Sequence, residues 1–490
     1  MKSTMQHKEI ALLFGTFVIA ICGLVYELLA GTLSSYLLGD SIYHFSLVIG
    51  LFMSSMGVGA WISRFVSDKL EHTFIIIQFT IALLGGFSAF ILFYAFAYLE
   101  NYDAFLYLIT ILLGSMLGVE IPLIIRILKD SFSLESNISN VFTVDYIGAL
   151  FASLLFPLVL VPQLGLMQTA FLFGGLNLMV GTLAWFIFRD ILGKRYLLPI
   201  VIIALILILG FIKSTTLTSM IEKKLYQNNI IYSKQSPYQK LIITANKGRI
   251  QFYINGALQF DSIDEHRYHE SLVHPVMNMS KSHEEVLIIG GGDGLALREV
   301  LKYDKVKHIT LVDLDEAVTT LFKTHPRLST LNNHAYDSPK VSVFNQDAWK
   351  FIEDSHRLYD VIIIDLPDPN TISLSRLYSK AFYHLLSSHL SRSGAIVTQA
   401  TSPIFSPDAF WCIAKTLEES NFKVLPYHSY VPSFGEWGFI LASHLKLPLE
   451  TITAKASFRY IDTQTMNTMK IFDKDSQKRS PKAISLVIMD

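Results

Sequence analysis

The chain has 490 residues, of which 51% are hydrophobic and only 17% charged, and its mean hydropathy is +0.41. This composition excludes an ordinary soluble protein of that length. A formal net charge of -1 and the lack of a basic tract exclude a protein that binds nucleic acid or an anionic surface. The two cysteines, Cys22 and Cys412, lie in different halves and form no CxxC pair, so neither a disulfide framework nor a cysteine zinc site is predicted.

The charges are unevenly distributed along the chain. Residues 1–213 contain 10 Lys and Arg and 12 Asp and Glu, which leaves 30 and 29 of the totals for residues 214–490. A helix needs about 20 apolar residues to cross a bilayer, and seven such stretches precede residue 213. They cover 10–29, 45–62, 74–99, 104–125, 141–161, 165–188 and 196–212. We therefore predict an N-terminal, all-α, multi-pass membrane bundle of about seven helices.

The loop charges predict an orientation. Basic residues lie at 64–69, 126–129 and 189–195, whereas the intervening loops, such as the one around Asp40, have none. By the positive-inside rule the three basic loops and the amino terminus are cytoplasmic. Seven spans would then place the second half outside the cell, which conflicts with the chemistry predicted below.

Three acidic residues, Glu27, Glu120 and Asp145, lie within or at the edge of the apolar stretches. An ionisable side chain is costly in lipid and suggests a functional site by default. Asp145 is also compatible with an interfacial position, and the two glutamates with neutral or paired states inside the bundle.

The second half begins with short alternating strands. Residues 230–233, 240–244 and 249–255 are separated by turn sequences, which predicts a small β-hairpin subdomain. An apolar run at 286–289 then precedes the sequence GGGDG at 290–294 and a helical stretch.

A strand, a glycine turn and a helix are typical of the start of a Rossmann-like sheet. Later apolar runs continue the βαβ alternation, at 309–312, 341–344, 361–364 and 395–398. The predicted fold of this part is a Rossmann-like α/β domain of the class I methyltransferase type with a mainly parallel sheet. The predicted domains are 1–213 (transmembrane), 225–282 (β subdomain), 283–447 (catalytic) and 448–490 (tail).

Acidic residues follow successive predicted strands. Asp293 lies in the glycine turn, where its carboxylate would repel a pyrophosphate, and Asp313 lies about 20 residues further on, where an acid can hold ribose. Asp347, Asp365 and Asp368 follow the next two strands, although Asp347 alone is equally compatible with a helix cap. Because no Lys or Arg accompanies these motifs, we predict an acidic pocket for a nucleoside cation such as S-adenosylmethionine or its decarboxylated form.

The second half contains an ordered series of motifs: SPYQ at 236–239, DEHRYHE at 264–270, GGGDG at 290–294 followed by REV at 298–300, VDLD at 312–315, DLPDP at 365–369, Gln399 and GEWGF at 435–439. They span roughly residues 230–445. This series resembles the spermidine synthases, the polyamine aminopropyltransferases, in the bacterial form that carries a multi-pass membrane region.

The resemblance implies roles for residues around the donor, decarboxylated S-adenosylmethionine. It implies that Gln239 contacts the nucleoside thioether, that Asp293 holds the aminopropyl amine and that Asp313 holds the ribose. Asp347 and Ala348 would contact the adenine.

The resemblance also implies the amine site. Tyr268 and His269 would line it, Asp365 would accept the proton, and Asp368 and Gln399 would help to bind the polyamine. The acceptor would be putrescine and the products spermidine and methylthioadenosine. Neither a metal nor a tightly bound cofactor is implied, and a homo-oligomer is left open.

The sequence departs from the family pattern at a few positions. Asp313 replaces the more usual glutamate, residues 366–367 and 370–371 differ from the common loop, and Phe434 stands where many members have a tyrosine. These changes concern the identity of the acceptor more than the reaction.

Two alternative functions remain open from the sequence. A methyltransferase that uses ordinary S-adenosylmethionine would share the sheet and the glycine turn. A polyamine transporter or sensor would use the acids of the apolar half and a non-catalytic second half. We predict a protein of the bacterial inner membrane whose catalytic domain faces the cytoplasm, because the donor is supplied there, although the loop charges conflict with this orientation.

Overall fold

The computed structural model describes residues 2–38, 41–99, 101–129, 134–226, 228–445, 452–453 and 457–477. The chain divides into two compact units, Met1–Asn229 and Ile230–Asp490. The predicted tail 448–490 lies outside the described residues except at 452–453 and 457–477, and Asp40 of the first predicted loop also lies outside them.

The first unit is a bundle of long apolar helices. Its described α-helices are α1 (Lys2–Leu38), α2 (Ser41–Ser63), α3 (Leu70–Tyr98), α4 (Tyr102–Ile127), α5 (Leu134–Leu155), α6 (Val161–Leu192) and α7 (Leu197–Leu225). Six helical stretches among the described residues are long and apolar enough to cross a membrane, whereas the sequence predicted seven. The difference lies in Glu135–Leu192, a continuous apolar stretch of 58 residues that contains the fifth and sixth predicted spans.

The helical geometry of this long stretch is interrupted. A straight helix of 58 residues would extend about 87 Å, nearly three times the hydrocarbon thickness of about 30 Å. The stretch includes a π-helical turn, Phe156–Leu160, and at Gly165 the backbone has φ 72° and ψ 176°. A residue with a side chain adopts this conformation rarely. The break lies at the position where the sequence predicts the loop between the two spans.

Helices α3 and α6 approach closely through small residues. A Cβ atom added at Gly174 would lie 2.6 Å from the carbonyl oxygen of Ala82 and 2.8 Å from the Cα atom of Gly86. Small residues at such positions allow the backbones of apolar helices to pack against each other.

A chain of buried polar side chains connects four helices of the bundle. The Tyr26 hydroxyl donates to Asn177 Oδ1 (3.2 Å), and Asn177 Nδ2 donates to Gln78 Oε1 (3.0 Å). Gln78 Nε2 in turn donates to Glu120 Oε1 (2.5 Å). All four side chains are buried. Of the three acids predicted in the apolar half, Glu120 is therefore the one enclosed by the bundle, since Glu27 and Asp145 are only partly buried.

A small sheet opens the second unit. Its strands are β1 (Asn229–Gln235), β2 (Lys240–Asn246), β3 (Arg249–Ile254) and β4 (Ala257–Asp261), hydrogen-bonded in that order. The first three coincide with the predicted strands, and β4 was not predicted. Asn255 and Gly256, both with positive φ, form the tight turn between β3 and β4, as the Asn-Gly sequence favours.

The second sheet has seven described strands. They are β5 (Glu285–Gly290), β6 (His308–Asp313), β7 (Val341–Asn345), β8 (Tyr359–Asp365), β9 (Leu390–Gln399), β10 (Lys423–Val431) and β11 (Gly435–Ser443). Their order in the sheet is β10-β11-β9-β8-β5-β6-β7. Strands β9, β8, β5, β6 and β7 are parallel to one another. Strand β11 pairs antiparallel with both β9 and β10. The five predicted strands are all present, and β10 and β11 were not predicted.

The described part of the unit also contains nine α-helices. They are α8 (Glu265–Met279), α9 (Leu295–Val300), α10 (Glu316–Thr324), α11 (Pro326–Leu331), α12 (Ala348–Asp354), α13 (Ile372–Ser375), α14 (Lys380–Ser388), α15 (Pro407–Glu419) and α16 (Thr463–Met469). The central strands β5 and β8 are buried on both faces, as expected for a parallel sheet. The chain crosses from one side of β5 to the other between β7 and β8, and open α/β sheets bind ligands at such a point.

The C-terminal segment 457–477 is bound to helix α8 by a buried carboxylate. The Glu270 side chain accepts hydrogen bonds from the backbone N–H groups of Arg459 (2.7 Å), Tyr460 (2.8 Å) and Ile461 (3.1 Å). The ring of His274 stacks on Phe458 with a centroid distance of 3.6 Å. These contacts fix the side of α8 that faces the segment.

We expect Glu270→Gln to increase amide hydrogen exchange at residues 459–461 by roughly 10-fold, equivalent to about 1.4 kcal/mol, because an amide group cannot accept all three bonds. Exchange followed by mass spectrometry measures this effect. Glu284→Gln is the matched control, since Glu284 makes a surface ion pair with Lys307. Equal exchange in Glu270→Gln and in the unaltered chain would show that the carboxylate does not hold the segment.

Candidate active site

All ten residues predicted for the site line one cavity of about 360 Å³ in the second unit. They are Gln239, Tyr268, His269, Asp293, Asp313, Asp347, Ala348, Asp365, Asp368 and Gln399. The cavity lies at the carboxyl ends of the parallel strands, where β5, β6 and β8 end next to one another. The sheet therefore brings together acids that are far apart in the sequence.

The glycine turn after β5 allows this close approach. Gly290 pairs with Asp365 across β5 and β8, and a Cβ atom at Gly290 would overlap the Asp365 carbonyl oxygen. A Cβ atom at Gly292 would lie 2.5 Å from Asp313 Oδ2, which accepts the Gly292 N–H at 3.1 Å. Glycine at both positions thus leaves space for the carboxylates at the strand ends.

Tyr268 and Asp365 form a direct pair inside the cavity. The Tyr268 hydroxyl donates to Asp365 Oδ1 at 2.7 Å. Burial raises the pKa of the Asp365 carboxyl above its usual value, and the charge of His269 and the bond from Tyr268 oppose that rise. A carboxylate with a raised pKa is a stronger base, so the pair combines a proton acceptor with a group that orients it.

His269 is held on one side by a buried ion pair. Its Nδ1 atom lies 2.8 Å from the carbonyl oxygen and 2.9 Å from the Oε2 atom of Glu265. Arg298 donates to both carboxylate oxygens of Glu265, at 3.0 and 2.9 Å. Burial would raise the pKa of Glu265, but His269 and Arg298 outweigh it and lower the pKa to about 2.

Two further acids of the cavity have raised pKa values. Burial raises the pKa of Asp293 to about 6 although the charge of His269 opposes it, and the charge of Asp365 raises it further. Burial also raises the pKa of Asp313 to about 6, against the hydrogen bond from the Asp315 N–H. Both carboxylates are ionised at neutral pH but lack sufficient positive charge around them. The cavity is therefore suited to a cation.

One end of the cavity presents Asp313, Asp347 and Ala348. Asp347 caps α12 by accepting the Lys350 N–H at 3.1 Å, and its other oxygen contacts Arg376. The capping role considered from the sequence is therefore present, together with a position in the cavity lining. Gln239 lines the same cavity.

The opposite end is formed by Asp368 and its neighbours. Gln399 Nε2 donates to the Leu366 carbonyl and to the Tyr378 hydroxyl, both at 2.7 Å, and lies 3.3 Å from Asp368 Oδ1. Thr401 is 3.4 Å from the other Asp368 oxygen. Because Gln399 is largely engaged by the protein, its clearest contribution is to fix the loop that carries Asp368.

Comparisons with known proteins identify the family of the chain. Residues 265–454 match the family model described as the spermine/spermidine synthase domain. A polyamine aminopropyltransferase of Leptospira interrogans is 42% identical over 474 residues, which cover 96% of this chain and 95% of that protein. Polyamine aminopropyltransferase 2 of Ralstonia nicotianae is 44% identical over 482 residues, with coverage of 96% and 94%.

The chain belongs to the polyamine aminopropyltransferase family. The similarity to these two relatives extends over the apolar helices as well as the catalytic unit. A solved structure of spermidine synthase from Thermotoga maritima is similar to this protein over 50% of this chain and 85% of the Thermotoga chain. The sequence identity is 25% and the TM-score is 0.46.

Several residues of the aminopropyltransferase site were not predicted. Arg376, which lies outside the predicted motifs, lines the cavity and contacts Asp347. Glu265 and Arg298 were seen only as parts of motifs, and their pairing connects α8 to α9. Trp437 also lines the cavity. The signal for Glu265 was its spacing of four residues from His269, which places both on one helix face.

One cluster of side chains in the second unit could by its geometry hold a metal ion. Glu270, His274 and Glu299 have potential ligand atoms within 4.8 Å of one another. However, Glu270 binds three backbone N–H groups, and Glu299 pairs with Arg298, Lys302 and His274. This cluster therefore has a structural explanation within the aminopropyltransferase fold.

We expect Asp293→Asn to raise the melting temperature of the catalytic unit more at pH 8 than at pH 5. A folded-state pKa of about 6 means that the native state loses stability as Asp293 ionises, whereas the amide stays neutral and can still accept the Leu295 N–H. Thermal unfolding at the two pH values measures the difference. Asp354→Asn, at an exposed residue, serves as the control. An equal rise in melting temperature at both pH values would show that ionisation of Asp293 is not the cause of the lost stability.

Proposed function

We propose that this aminopropyltransferase transfers the aminopropyl group of decarboxylated S-adenosylmethionine to putrescine, giving spermidine and methylthioadenosine. The observation that carries the proposal is the Tyr268–Asp365 pair at 2.7 Å, which lines the same cavity as two further, partly buried acids, Asp293 and Asp368. A positioned base beside carboxylates that can hold ammonium groups is what an attacking diamine needs.

The donor would be selected by charge. Decarboxylated S-adenosylmethionine carries a sulfonium and an ammonium group, and the Asp293 carboxylate would hold the latter. Ordinary S-adenosylmethionine carries an additional carboxylate, which would meet like charge at Asp293 and Asp365. Asp313 would bind the ribose, Gln239 the thioether side, and Asp347 with Ala348 the adenine. The donor is a co-substrate, and we propose no tightly bound cofactor.

The acceptor would react as a free amine. An alkyl amine has a pKa near 10.4, like that of lysine, and is protonated at neutral pH. Asp365 would take one proton while Tyr268 aligns the nitrogen. The new N–C bond forms as the C–S bond breaks, and the electron pair of that bond returns to sulfur. Asp368, His269 and the Gln399 region would hold the distal ammonium of the diamine.

The reaction is tested with purified full-length protein by mass spectrometry. Each donor, decarboxylated or ordinary S-adenosylmethionine, is offered with putrescine, cadaverine or spermidine. We expect spermidine and methylthioadenosine from the decarboxylated donor and putrescine. A methylated product from the ordinary donor would instead assign a methyltransferase.

We expect Asp365→Asn to lower kcat by at least about 100-fold, because the amide cannot accept the amine proton. Binding of methylthioadenosine, measured by calorimetry, should persist in this variant. Asp354→Asn, on the exposed end of α12, should leave kcat unchanged. A near-normal kcat for Asp365→Asn would remove Asp365 from the role of base.

We also propose that the first unit is embedded in the bacterial inner membrane and that the catalytic unit faces the cytoplasm. The six long apolar helical stretches support insertion, and the cytoplasmic supply of the donor supports the orientation. A reporter fused after residue 490 that is active only in the periplasm would contradict the orientation.

We also propose that residues 225–282 form a β subdomain that precedes the catalytic domain 283–447.

A further inference from the structure

The two ring nitrogens of His269 have different surroundings. Nδ1 lies within 2.9 Å of two oxygens of Glu265, the backbone carbonyl and a carboxylate oxygen. Both oxygens are acceptors, because Arg298 keeps the carboxylate ionised. Nδ1 must therefore carry a hydrogen in either charge state of the ring. Any change in the protonation of His269 takes place at Nε2.

His269 lines the cavity. Since Glu265 occupies Nδ1, Nε2 is the ring nitrogen that remains for a ligand in this cavity. The titratable groups that act on the ring come from three elements: Glu265 on α8, Asp293 in the turn after β5, and Asp365 at the end of β8. All three carry or can carry negative charge. Although burial lowers the pKa of His269, the hydrogen bond that its Nδ1–H donates to Glu265 and these charges outweigh burial and raise the pKa to about 9. In the empty cavity the imidazolium thus partly neutralises the acids.

A bound substrate brings its own positive charge to the same acids. Two cations beside each other in a buried site repel strongly, because the effective dielectric constant is low. The ammonium of the substrate cannot lose its charge without losing its attraction to Asp293. The proton on His269 Nε2 can be lost, because the neutral ring still donates through Nδ1 and gains a lone pair that accepts from an ammonium group.

We propose that His269 holds a proton on Nε2 in the empty site and releases it to solvent when the amine-bearing donor binds, after which the neutral ring accepts a hydrogen bond from the substrate amine. The site thus loses one positive charge with the proton and gains two with the donor, one on the ammonium and one on the sulfonium. Its net charge rises by one. This inference rests on the proposed function, since it requires a cationic donor in this cavity.

The test compares two ligands that share the nucleoside. Decarboxylated S-adenosylmethionine carries the sulfonium and the ammonium, and methylthioadenosine carries neither. Their binding to the full-length protein in detergent is measured by calorimetry at pH 8, in phosphate and in Tris, because the two buffers have different ionisation enthalpies. The difference in heat between the buffers gives the number of protons released.

We expect the cationic donor to release between about 0.5 and 1 proton per site, since a group with a pKa of about 9 is roughly 90% protonated at pH 8. Methylthioadenosine should release fewer than about 0.2 protons per site, because it brings no positive charge that would displace the proton from His269. In His269→Gln, the donor should still bind and its proton release should fall to the level seen with methylthioadenosine. Asp354→Asn, the exposed control, should behave as the unaltered protein.

The outcomes separate this inference from the proposed function. Donor binding with no more proton release than methylthioadenosine would overturn the inference and leave the aminopropyl transfer in place. Full release in a folded His269→Gln variant would also overturn it, because another group would be the source. Failure of the decarboxylated donor to bind at all would contradict both. The comparison of the two ligands in the unaltered protein does not depend on the folding of any variant.

Discussion

The burial of several carboxylates in one cavity, with too few cations to balance them, is the constraint on which the catalytic unit depends. Parallel strand register places Asp365 beside Gly290 and the glycine turn, so these acids cannot separate without breaking the sheet. Protein cations compensate part of this charge, as Arg298 does through Glu265. The negative charge that these cations do not compensate attracts amines to the site. The same excess of negative charge lowers the stability of the protein when no substrate is bound.

Much of the catalytic fold could be predicted from the sequence because the central strands are apolar on both faces. The run at 286–289 is an example, since a short, wholly apolar run followed directly by a glycine turn is typical of a buried parallel strand. Strands β10 and β11 were missed because they form an antiparallel edge, and β10 contains Pro426 and His428 among its apolar residues. The number of apolar spans differs from the predicted seven for another reason. It depends on the backbone at Gly165, which hydropathy does not register.

The candidate site could be predicted where its residues follow strand ends, as Asp313 and Asp365 do. Groups that reach the cavity through tertiary structure could not be found in this way. Arg376 approaches Asp347 across 29 residues of sequence, and Arg298 approaches Glu265 across 33. Pairings of this kind depend on how helices and loops pack on the sheet. Only the resemblance to a family assigned Tyr268 to the same site as Asp365.

The contacts of helix α8 with residues near the end of the chain affect the order in which the protein can fold during synthesis. Tyr268 and His269 face the cavity, while the next residue, Glu270, binds backbone groups that begin 189 residues later. Until those residues leave the ribosome, a carboxylate that is buried in the finished protein lacks these three hydrogen-bond donors, which disfavours the native packing of α8. The apolar helices emerge long before this point. The membrane insertion proposed for the first unit would therefore precede completion of the active site, so that a nascent chain would be anchored before it is competent to react.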